Sequence, residues 1–214
     1  MKFITFWFDP ISPYAWLAFD RLPQVLAGVS HAVEYRPVLF AGLLQHWGQK
    51  GPAEIEPKRA WTYRDVLWRA HRQGTTLDLP AAHPFNPLGL LRLAQACAPA
   101  GGTPNRRVVE ALFRHAWVGG EDAGDAQRLQ ALAASLQPVR DPDSHEVKDE
   151  LRAATAAAAA QGVFGVPTFG CDGRLFWGDD ALPMLRAALT GEAFFSGPAW
   201  DDAGRPRPGV VRRG

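Results

Sequence analysis

Cysteine is scarce in this chain: Cys97 and Cys171 are the only two, with no CxxC pair and no metal-ligand spacing. That speaks against a disulfide framework or a bound metal, and reduced thiols in a cytosolic setting are the expectation. An excess of either charge is also missing. Basic residues number 23 and acidic ones 22, so a net charge of +1 leaves no global field to draw nucleic acid or an anionic membrane. The apolar run from Ala153 to Ala160 is too short and too weakly hydrophobic to span a bilayer. The sequence opens directly on strand-like Phe3 to Phe8, without a basic region and signal core, so a soluble cytoplasmic protein is expected. With 214 residues there is enough chain for one large domain, or for a small domain carrying a big insertion. Eight Trp point to a well-filled core or an apolar pocket.

Residues 3–8 are bulky, β-branched or aromatic, as in a strand buried on both faces. Ser12-Pro13 then starts a helix, a hydroxyl cap followed by proline at the first helical position. A second strand is expected over His31–Leu39, and strand, helix, strand in this order favours a parallel crossover. Phe40 to Pro57 is punctuated by Gly and Pro and reads as a loop or broken helix. Helices are expected at Lys58–Gln73, Pro87–Ala98, Asn105–Trp117 and Asp125–Ser135. An Asp143/Glu146 capping box opens a long Ala-rich helix ended by Gly162. Thr168–Cys171 and Arg174–Trp177 flank Asp172-Gly173, a two-residue hairpin signal. Gly178-Asp179-Asp180 leads into a closing helix, Ala181–Leu189. The order is βαβ, a block of helices, then ββα. It describes an α/β chain with a thioredoxin-like domain (1–39 and 162–195), a large all-helical insertion (40–161), and an irregular tail (196–214).

Ser12 occupies the place where a thioredoxin-like redox enzyme carries the first cysteine of its CxxC, so Ser12-Pro13-Tyr14-Ala15 cannot perform dithiol chemistry. A hydroxyl at a strand–helix junction can still donate a hydrogen bond to an incoming thiolate, which the helix dipole and free N–H groups also favour. No neighbouring histidine marks Ser12 as a nucleophile, and it could simply cap the helix. Val166-Pro167, if cis, would let the Val166 backbone receive a peptide ligand as an added strand; an ordinary trans turn is the alternative. Asp179 and Asp180 offer anions to a ligand ammonium or serve only as helix caps, and Trp177 walls a pocket or fills core.

Three segments carry a resemblance: Phe8-Asp9-Pro10-Ile11-Ser12-Pro13-Tyr14, Gly162-Val163-Phe164-Gly165-Val166-Pro167-Thr168-Phe169, and Leu175-Phe176-Trp177-Gly178-Asp179-Asp180. Over roughly residues 1–190 the chain resembles the 2-hydroxychromene-2-carboxylate isomerases, which stand with kappa-class glutathione transferases and DsbA-type proteins. The resemblance implies a homodimer, glutathione as cofactor, and a small aromatic substrate. It implies reversible isomerisation of 2-hydroxychromene-2-carboxylate to trans-o-hydroxybenzylidenepyruvate, in aromatic-hydrocarbon breakdown, by transient thiolate addition. It would give Ser12 the glutathione sulfur, Val166 and Pro167 the tripeptide backbone, and Asp180 the γ-glutamyl end, with Asp179 and Trp177 beside it. The family commonly has Gln or Ser before that aspartate and Arg after it, where this chain has Asp179 and Ala181. On the substrate side, His46, Gln49, Lys50 and Asn86 are the candidates. A kappa-type transferase or peroxidase acting on other electrophiles, or a non-catalytic thioredoxin-like binding module, are the competing readings.

Overall fold

The computed structural model describes residues 1–205, 207 and 209. Its sheet has the order β2-β1-β3-β4, with β1 at Lys2–Phe8, β2 at His31–Pro37, β3 at Thr168–Cys171 and β4 at Arg174–Trp177. Strand β1 pairs parallel to β2, Phe6 opposite Tyr35, and antiparallel to β3, Phe6 opposite Phe169. The β3–β4 hairpin turns at Asp172 (φ 49°) and Gly173 (φ 75°), the two consecutive left-handed positions that a tight hairpin demands.

Helix α1 (Pro13–Val25) connects the parallel pair, and its Ser12 cap accepts from Ala15 N at 3.2 Å. The broken stretch after β2 resolves into α2 (Phe40–His46) and a short 3-10 turn, Pro52–Glu54. Next come α3 (Glu56–Gln73), α4 (Leu88–Ala96), α5 (Arg106–Trp117), α6 (Ala126–Leu136) and α7 (His145–Ala160). The chain closes through α8 (Leu182–Leu189) and α9 (Pro198–Ala203).

Alternation along β1 divides the interior. Ile4, Phe6 and Phe8 face a large core with Trp16, Phe19 and residues of α3, α4, α5 and α8. Phe6 stacks on Phe169 at 4.7 Å between ring centroids, and Phe8 meets Phe113 at 5.6 Å. Trp7 points the other way, into a smaller cluster with Val38, Leu43, Ala158, Val163 and Val166. That cluster ends before Phe3, which is 70% exposed, so β1 is covered on both faces only toward its C-terminal end.

Three further expectations are corrected. The cap of α7 is Ser144, whose hydroxyl accepts from Val147 N, while Asp143 pairs with Arg92 and Lys148. The closing helix begins as a 3-10 turn, Asp179–Ala181, before α8. Within the tail, Pro198–Ala203 is helical, with Trp200 against Phe195; residues 206, 208 and 210–214 lie outside the described part. Half of the tryptophans serve the core: Trp7, Trp16 and Trp117 are buried and Trp200 half-buried, whereas Trp47, Trp61, Trp68 and Trp177 are exposed.

Gly170 lies against the Trp7 ring, and a Cβ there would stand 2.7 Å from two ring carbons. Trp7 is buried and has no room to retreat. Gly170→Ala is therefore expected to lower stability by about 1–3 kcal/mol, the usual cost of overpacking. A urea midpoint moving down at constant m-value is the readout.

Candidate functional site

The turn between β1 and α1 is held from three sides. Asp9 is fully buried, and each carboxylate oxygen takes one backbone donor: Oδ1 accepts from Ile11 N at 3.0 Å and Oδ2 from Phe40 N at 2.9 Å. Burial pushes its pKa up to about 7, against the pull of those two N–H groups. Trp117 Nε1 donates to Pro10 O at 2.7 Å. His83 Nε2 donates to Ile11 O at 2.9 Å, because a carbonyl can only accept, and Nδ1 accepts from the Tyr63 hydroxyl at 2.9 Å. Burial holds the His83 imidazole below its ordinary pKa, which keeps this neutral tautomer. Ser12 N completes the turn by donating to Asp9 O.

Across this turn stands Val166, in a cis peptide with Pro167. The Ser12 hydroxyl donates to Val166 O at 3.3 Å, a long bond for an O–H donor. The Val166 N–H is donated to no group among the described residues. At the start of α1, Pro13 has no N–H and Tyr14 N lies in the first turn, where no intrahelical acceptor exists. A hydroxyl, a free backbone donor and a helix N-terminus thus converge on one point, suited to an anionic sulfur beside an extended peptide. No histidine contacts Ser12 Oγ, since His83 is engaged by the Ile11 carbonyl. Phe164 and the 55% exposed Trp177 pack at 4.9 Å beside Val166 and form an aromatic wall.

The two aspartates after β4 part company. Asp179, which the sequence offers either to a ligand ammonium or as a helix cap, is fully buried, taking Arg21 Nη1 at 3.3 Å, Arg69 Nη1 at 3.4 Å and Gln73 Nε2 at 3.4 Å. A charge so placed is held by its cations, not by a ligand ammonium. Asp180 is exposed beside Gly178, whose φ of 101° turns the chain there. Arg69 also donates Nε to Asp65 Oδ2 at 2.8 Å, and the Tyr14 hydroxyl donates to the same oxygen at 2.8 Å. Burial and the Asp65 carboxylate both push the Tyr14 phenol up, so it stays protonated as that donor. Gln73 Oε1 is buried without a partner among the described residues.

The substrate-side candidates do not gather at Ser12. His46, at the end of α2, lines a separate cleft with α4 and α7, and Gln49 and Lys50 lie exposed beyond it. Asn86 accepts from Leu88 N at 3.1 Å and shapes the turn before α4. A cleft of about 410 Å³ is instead lined by Pro52, Pro57, Lys58, Trp61 and Thr62. Thr62 shares a face of α3 with Asp65, the partner of Tyr14, so this cleft borders the Ser12 turn. Lys58 and Trp61 drew no attention in the sequence. Their local signal is the Pro57 helix start, at the head of α3.

Residues 3–190 match the DSBA-like thioredoxin domain, and the chain belongs to that family. It falls, more narrowly, with the enzymes named 2-hydroxychromene-2-carboxylate isomerase. It is 30% identical over 201 residues to the one from Sphingobium xenophagum, covering 88% of this chain and 98% of that protein. It is 26% identical over 208 residues to glutathione S-transferase kappa 1 of Rattus norvegicus, covering 89% and 92%. A solved structure of a 2-hydroxychromene-2-carboxylate isomerase has the same fold, with a TM-score of 0.75 at 21% identity over 95% of this chain and 100% of that one. Among the described residues, no helix is long and apolar enough to cross a membrane.

Proposed function

We propose that this chain is a glutathione-dependent isomerase interconverting 2-hydroxychromene-2-carboxylate and trans-o-hydroxybenzylidenepyruvate, working as a cytoplasmic homodimer in aromatic catabolism. The observation that carries the reading is the pairing of the Ser12 hydroxyl with Val166 O, 3.3 Å apart, beside an unengaged Val166 N–H. Glutathione, held by Ser12, the Val166 backbone and Asp180, would supply a thiolate for reversible addition to a conjugated carbon. The residues present fit that tripeptide. Ser12 exchanges its long bond to Val166 O for one to the sulfur, and the start of α1 lowers the thiol pKa. The Val166 backbone receives the cysteinyl residue, and Asp180 the γ-glutamyl ammonium.

Ala181 removes the arginine that the family places after Asp180. Arg69 and Arg21, drawn together by Asp179, take over its charge at this end of the site. The buried, unpartnered Gln73 Oε1 adds an acceptor near them. Opposite, Lys58 at the cleft of Trp61 and Thr62 faces the substrate carboxylate, and the apolar walls orient the rings.

Isothermal titration with glutathione, followed by a chromene assay with and without it, tests the reading. Saturable binding and glutathione-dependent turnover are expected. Arg69→Met should weaken glutathione binding about tenfold, the size of one lost charged hydrogen bond. Binding without chromene turnover would move the assignment to a kappa-type transferase. Absence of binding would leave only a thioredoxin-like binding module.

A further inference from the structure

A cleft of about 550 Å³ lies apart from both Ser12 and the Lys58 cleft. It opens between α2, α4 and α7, and none of Ser12, Tyr14, Val166 or Asp180 reaches it. Its volume lies within the roughly 300–1,000 Å³ typical of clefts that hold small ligands. The floor is apolar, made by Leu39, Leu88, Leu151 and Ala159, while Arg92, Lys148 and Arg152 stand around it with His46 at one edge. Among the described residues, no carboxylate lines it.

Two of those cations are poorly served by the protein. Arg92 Nη1 and Lys148 Nζ approach one and the same oxygen, Asp143 Oδ1, at 3.5 and 3.7 Å. Charge-assisted bonds from such groups normally run near 2.7–2.9 Å. Asp143 is 78% exposed and lies outside the cleft, so it leaves both cations only loosely neutralised. The walls themselves are fixed. Thr155 Oγ1 accepts from Leu39 N at 3.0 Å and donates to Leu151 O at 2.9 Å, fastening α7 to the start of α2.

We propose that this cleft is a second binding site, for an amphiphilic organic anion. Its carboxylate or sulfonate would lie between Arg92 and Lys148, and its apolar body on Leu39, Leu151 and Ala159. Charge complementarity selects this occupant: a neutral hydrocarbon would leave the two loosely neutralised cations beside it without a counter-charge, and an inorganic anion would leave the floor bare. The inference stands on the geometry of α2, α4 and α7 alone and does not depend on the reaction assigned to Ser12.

The test is equilibrium binding of 1-naphthoate to the full chain with saturating S-methylglutathione present. A saturable site is expected that persists in Lys58→Met, and so is distinct from the substrate cleft. Affinity should fall at least about tenfold for the uncharged 1-naphthamide, and equally in the Arg92→Met/Lys148→Met double variant. Ala156 is exposed and lines the cleft, so Ala156→Trp should fill the space and abolish binding while every charge remains. Ser12→Ala should leave the naphthoate affinity unchanged. Competition by S-methylglutathione, equal affinity for the amide, or full binding in Ala156→Trp would overturn the proposal. So would a self-association that the double variant abolishes without any naphthoate binding, which would make this face a contact between copies.

Discussion

Replacing Ser12 by alanine is expected to move the acid limb of the pH–rate profile upward by about one to two pH units. The figure follows from the bond being removed. A hydrogen bond to a charged acceptor contributes about 1.5–3 kcal/mol, and 1.36 kcal/mol is one pKa unit. The hydroxyl stabilises the thiolate and not the thiol, so its loss raises the pKa of bound glutathione. Below that pKa the rate follows the thiolate fraction, and turnover near neutrality should fall about ten- to a hundredfold. Above both pKa values the two enzymes should converge. Ultraviolet absorbance of the bound thiolate, titrated in both proteins, gives the same shift without turnover. A purely structural Ser12 predicts something different, because its oxygen also caps α1 through Ala15 N. Loss of the cap alone would cost about 1 kcal/mol of stability and lower activity equally at every pH. A profile reduced in height but unmoved in pH would refute the thiolate role.

The elements that the sequence revealed are those whose signals are local. The Ser12-Pro13 helix start, the Asp172-Gly173 turn and the strands on either side of it fall where backbone chemistry requires them. Ser12 and Val166, 154 positions apart, are joined in the sequence only through the family resemblance; they meet because β3 lies antiparallel beside β1, which sets the end of one strand next to the start of the other. What stayed hidden was set by distant partners. Asp179 and Asp180 are neighbours of one type, and only Arg21, Arg69 and Gln73, all more than 100 positions away, decide that the first is buried. His83 carries no local sign of its partner. Its imidazole in fact reaches Ile11 O across 72 positions, while the Asn86 side chain goes no further than Leu88 N. His46 is a substrate-side candidate only beside the family resemblance, and α2, which ends on it, delivers it to the α7 side. Glu146 likewise fitted a capping pattern that Ser144, one residue after Asp143, pre-empted.

Asp9 shows the same limit and has the largest thermodynamic signature. Two backbone N–H groups favour its ionised form, and complete burial favours the neutral one; burial prevails, which leaves the pKa at about 7 rather than the ordinary 3.8. Between those values the folded protein binds a proton that the unfolded chain has released. Stability from this group is therefore fully present below about pH 4, declines as pH rises toward about 7, and is level above. The slope approaches 1.4 kcal/mol per pH unit at its steepest, about 4 kcal/mol at most over the window. Asp9→Asn has no proton to lose and should lack this decline. Its amide must also point a donor at either Ile11 N or Phe40 N, at a cost of about 1–3 kcal/mol. Urea unfolding of both proteins from about pH 5 to about pH 8 should show the variant less stable at the acid end, with the gap narrowing steadily toward neutrality. His83 and His115, both held below their ordinary pKa by burial, titrate in the same region but occur in both proteins and cancel in the difference. A gap that stays constant with pH would mean that Asp9 is ionised throughout, its two N–H donors outweighing burial. Either result bears on the site, because the oxygen that titrates accepts from Ile11 N, the residue directly before Ser12, or from Phe40 N at the head of α2.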